Sequence, residues 1–500
     1  MKAYLMFPDR DVPQGAPPEN EHDLIRDLNL VPVVHAMAAG DTFLQDIARK
    51  TLLSPLKEQA DILYRQHILV DCLEHPAIIR DLYDLAVETI DGEKKVYHSI
   101  FLRYPDAVLR TAIESLEFLV PMLRRLRNLA AEHGHRFSSP GLTRLFSMIT
   151  EELDDDYFRT IAGHLETLRF RSAPLISAGL GAANEGTGYT LRRPNADPRN
   201  WFQRFFFPDR SSYTFQINDR DESGYRALSE LKDRGLILVA NALARSDQHI
   251  VSFFSMLRSE LAFYVGCLNL RERLSATVPI CFPKPEAPGS PNWLCAKGLC
   301  DAALGLSSTG PVIGSDVNGE SKNLILVTGA NEGGKSTFLR SIGNAQLMME
   351  CGIFVCAEYF STGICTGLYT HYRREEDPNL TSGKLDEELD RMNRIAQTIR
   401  PGSLMLFNES FSATNEREGS ALAWDVIAAL VESGIRVVFV THFFELAHAL
   451  FTRHRAGALF LQAERRDNGE RTFTMVEGEP TATSFGEDLY ARIFAPSTEP

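Results

Sequence analysis

The sequence of 500 residues predicts a C-terminal α/β domain built on a parallel sheet, preceded by a mainly α-helical region with a small β-rich insertion. Three observations predict this order. Residues 20–172 are poor in glycine and repeat apolar side chains every three or four positions, residues 173–217 combine glycines with strand-like segments, and from residue 295 short apolar runs alternate with helical stretches. The first spacing is typical of helices, and the last alternation is typical of parallel sheets.

Changes in composition set the expected boundaries. We expect a helical region over 1–172, the β-rich insertion over 173–217 and two long helices within 218–280. Four prolines predict an extended linker over 281–294, and the α/β domain follows over 295–500.

The composition indicates an ordinary globular protein. Of the residues, 44% are hydrophobic and 24% are charged, so a packed core can form. No apolar run approaches the roughly 18 residues that span a bilayer, and the first residues lack the apolar stretch of a signal peptide. We therefore expect a cytoplasmic protein that does not engage a membrane.

Charge and cysteine content restrict the function further. Subtracting 66 acidic from 52 basic residues gives a net charge of −14, so the overall field repels nucleic acid and any DNA contact has to be local. The eight cysteines form no C-x-x-C pair, which favours reduced core residues over a metal site.

The strongest motif is a predicted phosphate-binding loop. Residues 329–336 (GANEGGKS) fit G-x-x-x-x-G-K-S, follow the apolar run 324–327 and precede the helical stretch 337–349. Glycines allow the backbone N–H groups to face phosphate oxygens, Lys335 would bridge the β- and γ-phosphates, and Ser336 would bind Mg²⁺. The candidate ATP-binding residues of this loop are Gly329, Gly333, Gly334, Lys335 and Ser336.

A second apolar run, 403–407 (SLMLF), ends at Asn408 and Glu409. A strand that delivers an acidic residue beside the nucleotide is the Walker B pattern, in which Glu409 would be the general base. Asn408 stands where an aspartate usually holds the metal and brings no charge to Mg²⁺. The alternative is that both residues only begin a turn.

A third apolar run, 436–440 (RVVFV), leads into Thr441 and His442. Polar residues at the carboxyl end of a strand lie at the ligand crevice in many α/β sheets. His442 is therefore a candidate catalytic residue, with a purely structural histidine as the alternative.

Together these segments resemble the ATPase module of the MutS-type DNA mismatch-repair family, a branch of the ABC class. Residues 328–337 (TGANEGGKST) resemble T-G-x-N-x-G-G-K-S-T, residues 408–419 (NESFSATNEREG) resemble D-E-x-G-x-G-T-S-x-x-D-G, and residues 441–446 (THFFEL) resemble T-H-Y-F-E-L. Weaker similarity lies at 382–389, with Glu388 at an acidic position, and at 483–486 (TSFG).

This resemblance implies an ABC-like P-loop ATPase domain that uses ATP and Mg²⁺ and works as a homodimer. It adds Asn331 and Thr337 to the nucleotide-binding residues, implies that Thr414 and Asn415 reach the nucleotide of the facing subunit, and implies that His442 senses the γ-phosphate.

Several positions depart from the family pattern. Asn408 replaces aspartate, Phe411 and Ala413 replace glycines, and Asn415 replaces serine. We therefore expect slow hydrolysis, or a loop that binds phosphate differently.

The helical part shows weaker resemblance to the family's core and lever domains, at 54–66 and 259–270. An unrelated amphipathic bundle is the alternative. No Phe-x-Glu occurs in the first 170 residues, so we expect the family's mismatch-reading wedge to be absent.

A candidate DNA contact lies in the insertion, where the family carries a clamp. Arginines alternate there with Trp201 and several phenylalanines, a combination that suits phosphate pairing and base stacking. The alternative is that the aromatic residues form the core of the insertion. The candidate DNA-binding residues are Arg192, Arg193, Arg199 and Arg204.

The sequence thus predicts a MutS-type, ATP-dependent DNA-binding protein in which ATP hydrolysis moves levers and a clamp on duplex DNA during repair or recombination. A structural dimer switch that binds ATP with negligible hydrolysis is the alternative, which Asn408 favours. A P-loop kinase is a third possibility, against which residues 408–411 and 441–446 argue.

Overall fold

The computed structural model describes most of the chain, namely residues 1–12, 18–95, 105–169, 175–182, 186–192, 221–287, 290, 294–374, 383–454, 456–466 and 469–480. The helices in these ranges are α1 (Glu21–Asp27), α2 (Val31–Ala38), α3 (Thr42–Leu52), α4 (Gln59–Glu74), α5 (Pro76–Glu93), α6 (Pro105–His133), α7 (Pro140–Glu152), α8 (Asp155–Leu168), α9 (Glu222–Leu274), α10 (Ala302–Ser307), α11 (Lys335–Glu350), α12 (Lys384–Thr398), α13 (Glu416–Glu432) and α14 (Phe444–His454).

The strands are β1 (Leu175–Leu180), β2 (Gly186–Arg192), β3 (Lys284–Glu286), β4 (Leu294–Leu299), β5 (Ser315–Asn318), β6 (Leu324–Gly329), β7 (Tyr359–Gly363), β8 (Leu368–Tyr372), β9 (Leu404–Asn408), β10 (Arg436–Val440), β11 (Ala458–Arg465) and β12 (Arg471–Glu477).

Helices occupy the N-terminal region as the apolar spacing predicts. In α6 the side chains that recur every three or four residues, from Leu109 to Leu126, are buried. Asp41 caps the N-terminus of helix α3: its carboxylate accepts hydrogen bonds from the backbone N–H groups of Phe43 and Leu44 at 2.7 and 3.1 Å. Such caps satisfy N–H groups that have no partner within the helix.

Helix α9 differs from the expected pair of helices, because it runs unbroken over 53 residues. Its sequence contains no proline, so nothing forces a break in the hydrogen-bond ladder. By length and composition this helix could cross a membrane, but 67% of its most apolar window is buried inside the protein. Such burial is typical of a core helix.

The described chain forms two compact units. The first comprises 1–3, 80–138 and 142–258, and the second comprises 4–79, 139–141 and 259–500. This division differs from the expected boundaries, because the first helices belong to the same unit as the α/β domain.

Hydrogen bonds within the second unit account for this grouping. The Tyr264 hydroxyl donates to the Leu5 carbonyl oxygen at 2.5 Å, and the Leu56 N–H donates to the Glu350 carbonyl oxygen at 2.8 Å. These partners lie hundreds of positions apart in the chain, so local spacing could not predict them.

The prediction of an extended linker over 281–294 needs correction, because part of this segment belongs to a sheet. Strand β3 pairs in parallel with β7, and Cys281 exchanges two backbone hydrogen bonds with Val355 at 3.1 and 2.9 Å. Proline lacks an N–H group but keeps its carbonyl, which suits the edge of a sheet. The carbonyl oxygens of Pro283 and Pro285 accept hydrogen bonds from Gln66 and Gln59 at 3.0 and 2.7 Å.

Two sheets build the α/β domain. The larger has the order β12-β11-β6-β10-β9-β8 and is parallel except for the β11–β12 pair, as the alternating pattern predicts. The smaller, β3-β7-β4-β5, is mixed and was not predicted. Strand residues of the larger sheet such as Leu326, Phe407 and Phe439 are fully buried, which places a core beneath the strand ends.

The described part of the insertion is a hairpin. Strands β1 and β2 pair antiparallel, with an irregular register between Ser177 and Gly179. Residues 193–217, including the predicted strand at 213–217, lie outside the described residues.

All eight cysteines are free, as expected, and six of them are buried, whereas Cys281 and Cys295 are half-buried.

Two helical glycines give a matched test of the packing. A Cβ at Gly343 of α11 would lie 2.4 Å from Leu28 Cδ2, whereas a Cβ at the exposed Gly163 of α8 would meet nothing within 4 Å. We expect Gly343→Ala to lower the free energy of unfolding by about 1–3 kcal/mol through overpacking. Gly163→Ala should raise it by roughly 0.5–1 kcal/mol. Urea unfolding measures both changes, and equal effects would contradict the packing of α11.

Candidate nucleotide-binding site

The three sequence motifs meet at the carboxyl ends of neighbouring strands in the larger sheet. Val440 of β10 pairs with Val327 of β6 on one side and with Asn408 of β9 on the other. Two backbone hydrogen bonds continue this pairing just beyond the strands. The Thr441 N–H donates to the Val327 carbonyl oxygen at 3.1 Å, and the Glu409 N–H donates to the Val440 carbonyl oxygen at 2.9 Å. Parallel strands therefore bring the P-loop, the Walker B segment and the segment before His442 together.

The P-loop between β6 and α11 requires its glycines. Gly329 and Gly334 have φ values of 103° and 91°, in the left-handed region that favours glycine. A Cβ at Gly333 would lie 2.7 Å from the Ala463 side chain and 2.9 Å from the Ala330 carbonyl oxygen. The loop is thus packed closely against β11, and Gly334 precedes a helix whose first N–H groups can face an anion.

Lys335 is buried at the start of α11, with only 6% of its surface exposed. Its Nζ donates hydrogen bonds to the carbonyl oxygens of Gly329 and Ala330 at 3.0 and 2.9 Å. Burial lowers the pKa of the ammonium group, and the negative charge of Glu409 opposes that shift. The loop therefore holds a cation beside its own backbone, where it suits a phosphate group.

Ser336 and Asn408 form a direct link between the P-loop and the Walker B strand. The Ser336 hydroxyl donates to Asn408 Oδ1 at 3.0 Å. A hydroxyl and an amide oxygen are hard oxygen ligands that fit Mg²⁺, although neither carries the charge of an aspartate. Thr337, which follows in α11, is half-buried.

Glu409 adopts a left-handed backbone with φ 52°. Its carboxylate lies 3.9 Å from Arg373 Nη1, and its side chain is 30% exposed. The Arg373 N–H donates to the Asn408 carbonyl at 2.9 Å, because Arg373 directly follows β8 at the same edge of the sheet. Glu409 therefore combines access to solvent with a fixed backbone, as a general base needs.

Two arginines at this site belong to none of the sequence motifs. Besides Arg373, Arg471 of β12 donates from Nε to the Asn331 carbonyl oxygen at 3.2 Å, while the Asn331 side chain is exposed. Neither arginine gave a signal in the sequence. Arg373 follows β8, whose residues (LYTHY) mix apolar and polar side chains, and Arg471 reaches the loop through the hairpin of β11 and β12.

His442 is exposed, and its ring lies edge-on to Phe443 with the centroids 4.9 Å apart. The next helix, α14, is capped from outside, because Glu416 Oε1 accepts from the N–H groups of Phe444 and Glu445 at 2.8 and 3.4 Å. Glu416 thus joins the start of α13 to the His442 segment, a link that sequence reasoning missed.

Thr414 and Asn415 lie at the surface before α13, where both have a local structural role. Asn415 Oδ1 accepts the Glu418 N–H at 3.0 Å and caps the helix, and the Thr414 hydroxyl donates to the Glu418 carboxylate at 2.5 Å. The contact with a facing subunit stays a prediction.

Of the candidate DNA residues, Arg192 is exposed on β2 and donates from Nε to Ser177 Oγ at 2.8 Å. Arg193, Arg199 and Arg204 lie outside the described residues, as do Ser382 and residues 483–486.

Two family models match the chain: the MutS2 N-terminal domain over residues 57–277 and MutS domain V over residues 325–498. The helical part and the α/β part thus match separate models of related proteins.

Individual relatives give the same result. MutS protein homolog 4 of Mus musculus is 32% identical over 248 residues, which cover 48% of this chain and 25% of that protein. The DNA mismatch repair protein MutS of Chlorobium chlorochromatii is 26% identical over 441 residues, or 80% of this chain and 50% of that protein. Endonuclease MutS2 of Lacticaseibacillus casei is 30% identical over 202 residues, or 40% of this chain and 25% of that protein.

The chain therefore spans a quarter to a half of the length of these relatives. The domain models, the relatives and the motifs agree with the resemblance drawn from the sequence: the chain belongs to the MutS family.

Proposed function

We propose that this chain binds and hydrolyses ATP at the edge of the larger sheet and uses the nucleotide to control its association with DNA. One observation carries the proposal. The hydrogen bond from Ser336 Oγ to Asn408 Oδ1, 3.0 Å long, joins the P-loop to the Walker B strand, which Glu409 directly follows. A binding loop and a candidate base thus lie within one site.

Each side chain then has a role in the reaction. Lys335 and the N–H groups of the loop would bind the phosphates, and His442 would contact the γ-phosphate. Glu409 would orient a water molecule and accept its proton as the water oxygen attacks the γ-phosphorus and the bond to the bridging oxygen breaks. Mg²⁺, held by Ser336 and Asn408, would supply positive charge to the phosphates.

A homodimer would connect nucleotide binding to DNA binding. In a homodimer, Thr414 and Asn415 of one subunit would reach the nucleotide of the other, and ATP would favour one of two arrangements of the levers and the clamp. Relatives named as DNA mismatch repair proteins support DNA as the partner. That the DNA is duplex, and that the protein acts in repair or recombination in the cytoplasm, are further parts of the proposal.

The pair formed by Ser336 and Asn408 also favours a second candidate, a dimer switch that binds ATP with negligible hydrolysis. Both groups are uncharged, so the metal lacks the carboxylate that usually neutralises it. Turnover separates the two functions.

Lys335→Ala should abolish ATP binding, because no other ammonium group is placed within the described loop. Isothermal titration with ATP and Mg²⁺ measures the loss, and circular dichroism checks the fold. Lys297→Ala removes an exposed lysine of β4 and serves as the control. Unchanged affinity in folded Lys335→Ala would contradict the P-loop assignment.

Glu409→Gln should keep ATP binding and lower the rate of hydrolysis roughly 10²-fold or more, the usual contribution of a general base. Release of phosphate measures the rate, and Glu432→Gln, at the exposed end of α13, is the control. An equal rate in Glu409→Gln and the wild type would exclude Glu409 as the base.

Asn408→Asp should tighten the dependence of turnover on Mg²⁺, because a carboxylate adds charge beside Ser336. If the wild type binds ATP without turnover and Asn408→Asp hydrolyses it, the dimer switch is the correct function. No change in Mg²⁺ dependence would place residue 408 outside the metal's ligands.

DNA binding should be moderate and sensitive to salt, with less than about tenfold preference for a mismatch over a matched pair. Replacing Arg192, Arg193 and Arg199 together by alanine should weaken binding evenly across sequences and flatten the salt dependence, as phosphate contacts do. Fluorescence anisotropy over a salt series measures both. A larger mismatch preference would show that the chain reads mismatches by other residues.

A further inference from the structure

A buried histidine lies beside the two residues that follow Glu409. His371 of β8 is fully buried, and its Nδ1 lies 2.8 Å from Ser410 Oγ. The Ser410 oxygen also lies 2.5 Å from the His371 carbonyl oxygen, so its one hydroxyl proton can serve either the ring nitrogen or that carbonyl at a time. The imidazole stacks on the Phe411 ring with centroids 5.5 Å apart and an interplanar angle of 22°. One residue thus contacts both neighbours of the candidate base on its C-terminal side.

Glu388 of α12 completes these contacts. Its carbonyl oxygen lies 3.0 Å from His371 Nε2. Burial raises the pKa of its carboxyl group, and the backbone of Phe411 opposes that shift. We call His371, Glu388, Ser410 and Phe411 the His371 cluster. The cluster joins β8, α12 and the segment after β9. All four residues are buried, and Glu388, the most exposed of them, is 6% exposed.

The backbone of this segment needs such support. Glu409 and Phe411 have φ values of 52° and 64°. Residues with a Cβ rarely adopt the left-handed region, and they stay there only where surrounding contacts fix them. Position 411 is glycine in the family pattern, which reaches this region without strain. Here a phenylalanine with a buried ring occupies it, so side-chain packing replaces the freedom of glycine.

The histidine acts without a charge. Burial and the nearby positive charges of Arg391 and Arg374 lower the pKa of His371 to about 4, although Asp23 opposes the shift. The imidazole is therefore neutral at pH 7 and contributes hydrogen bonds and stacking.

We propose that His371 is a positioning residue for Glu409: through Ser410 and Phe411 it fixes the left-handed backbone that directs the Glu409 carboxylate to the nucleotide site. The inference rests on the proposed ATPase function. The Glu409 carboxylate lies close enough to the P-loop for its charge to act on Lys335, and 3.9 Å from Arg373 Nη1. A shift of the Ser410 backbone would move that carboxylate.

Two substitutions test the proposal. His371→Phe keeps a stacking ring and removes both nitrogen atoms, whereas Ser410→Ala removes one hydroxyl. We expect each to lower kcat for ATP by about 10- to 100-fold, as displacement of a catalytic group does. The Kd for a non-hydrolysable ATP analogue should change less than about threefold, because the P-loop is intact. His448→Ala is the control, since this exposed histidine of α14 also stacks on an aromatic ring, that of Phe444.

A double variant separates positioning from general destabilisation. If Ser410 acts through Glu409, then Ser410→Ala should cause no further loss of single-turnover rate in the Glu409→Gln background. A full additional loss there would overturn the proposal. If His371→Phe does not fold, the Ser410→Ala variant decides alone.

The remaining outcomes distinguish the inference from the proposed function. Unchanged kcat in both variants of an active wild type overturns the role of His371 and leaves the ATPase assignment standing. A wild type that binds the analogue without turnover overturns the role of His371 and supports the dimer switch. A folded wild type that binds neither ATP nor the analogue overturns both.

Discussion

The site depends on the pairing of β10 with β6 and β9. Val440 is the common partner of Val327 and Asn408, and the next backbone N–H groups continue both ladders. The Ser336–Asn408 bond, the access of Glu409 to the loop and the place of His442 all follow from this register. A shift of β10 by one residue would move each of its buried side chains to the opposite face of the sheet and separate the three motifs. The buried side chains around these strands therefore hold the three motifs together by fixing the register of β10 against β6 and β9.

The departures from the family pattern are related in space. Asn408 removes a charge beside Ser336, while Phe411 places a strained backbone two residues beyond Glu409. Stacking and hydrogen bonds of His371 accompany the second change. The first change leaves two uncharged oxygen groups side by side, and the second places the residues after Glu409 in a closely packed environment.

The helical region takes part in the α/β domain at several points. Residues 4–79 share its compact unit, and carbonyl groups of the proline-rich segment accept from Gln59 and Gln66. Thr370 of β8, next to His371, donates to Asp27 at the end of α1 at 2.8 Å. The N-terminal helices thus contact the strand that carries His371.

The sequence alone determined the elements with strong local signals. Apolar spacing predicted a helical N-terminal region, and short apolar runs predicted β6, β9 and β10. The P-loop, Asn408 with Glu409, and Thr441 with His442 were visible as motifs at strand ends. Only the tertiary structure decided the placement of β3, the unbroken α9, the mixed second sheet, and the contacts of His371, Arg373, Arg471 and Glu416. Periodicity reports which face of an element is buried, whereas these contacts join residues far apart in the chain through pairing and packing that no local spacing encodes.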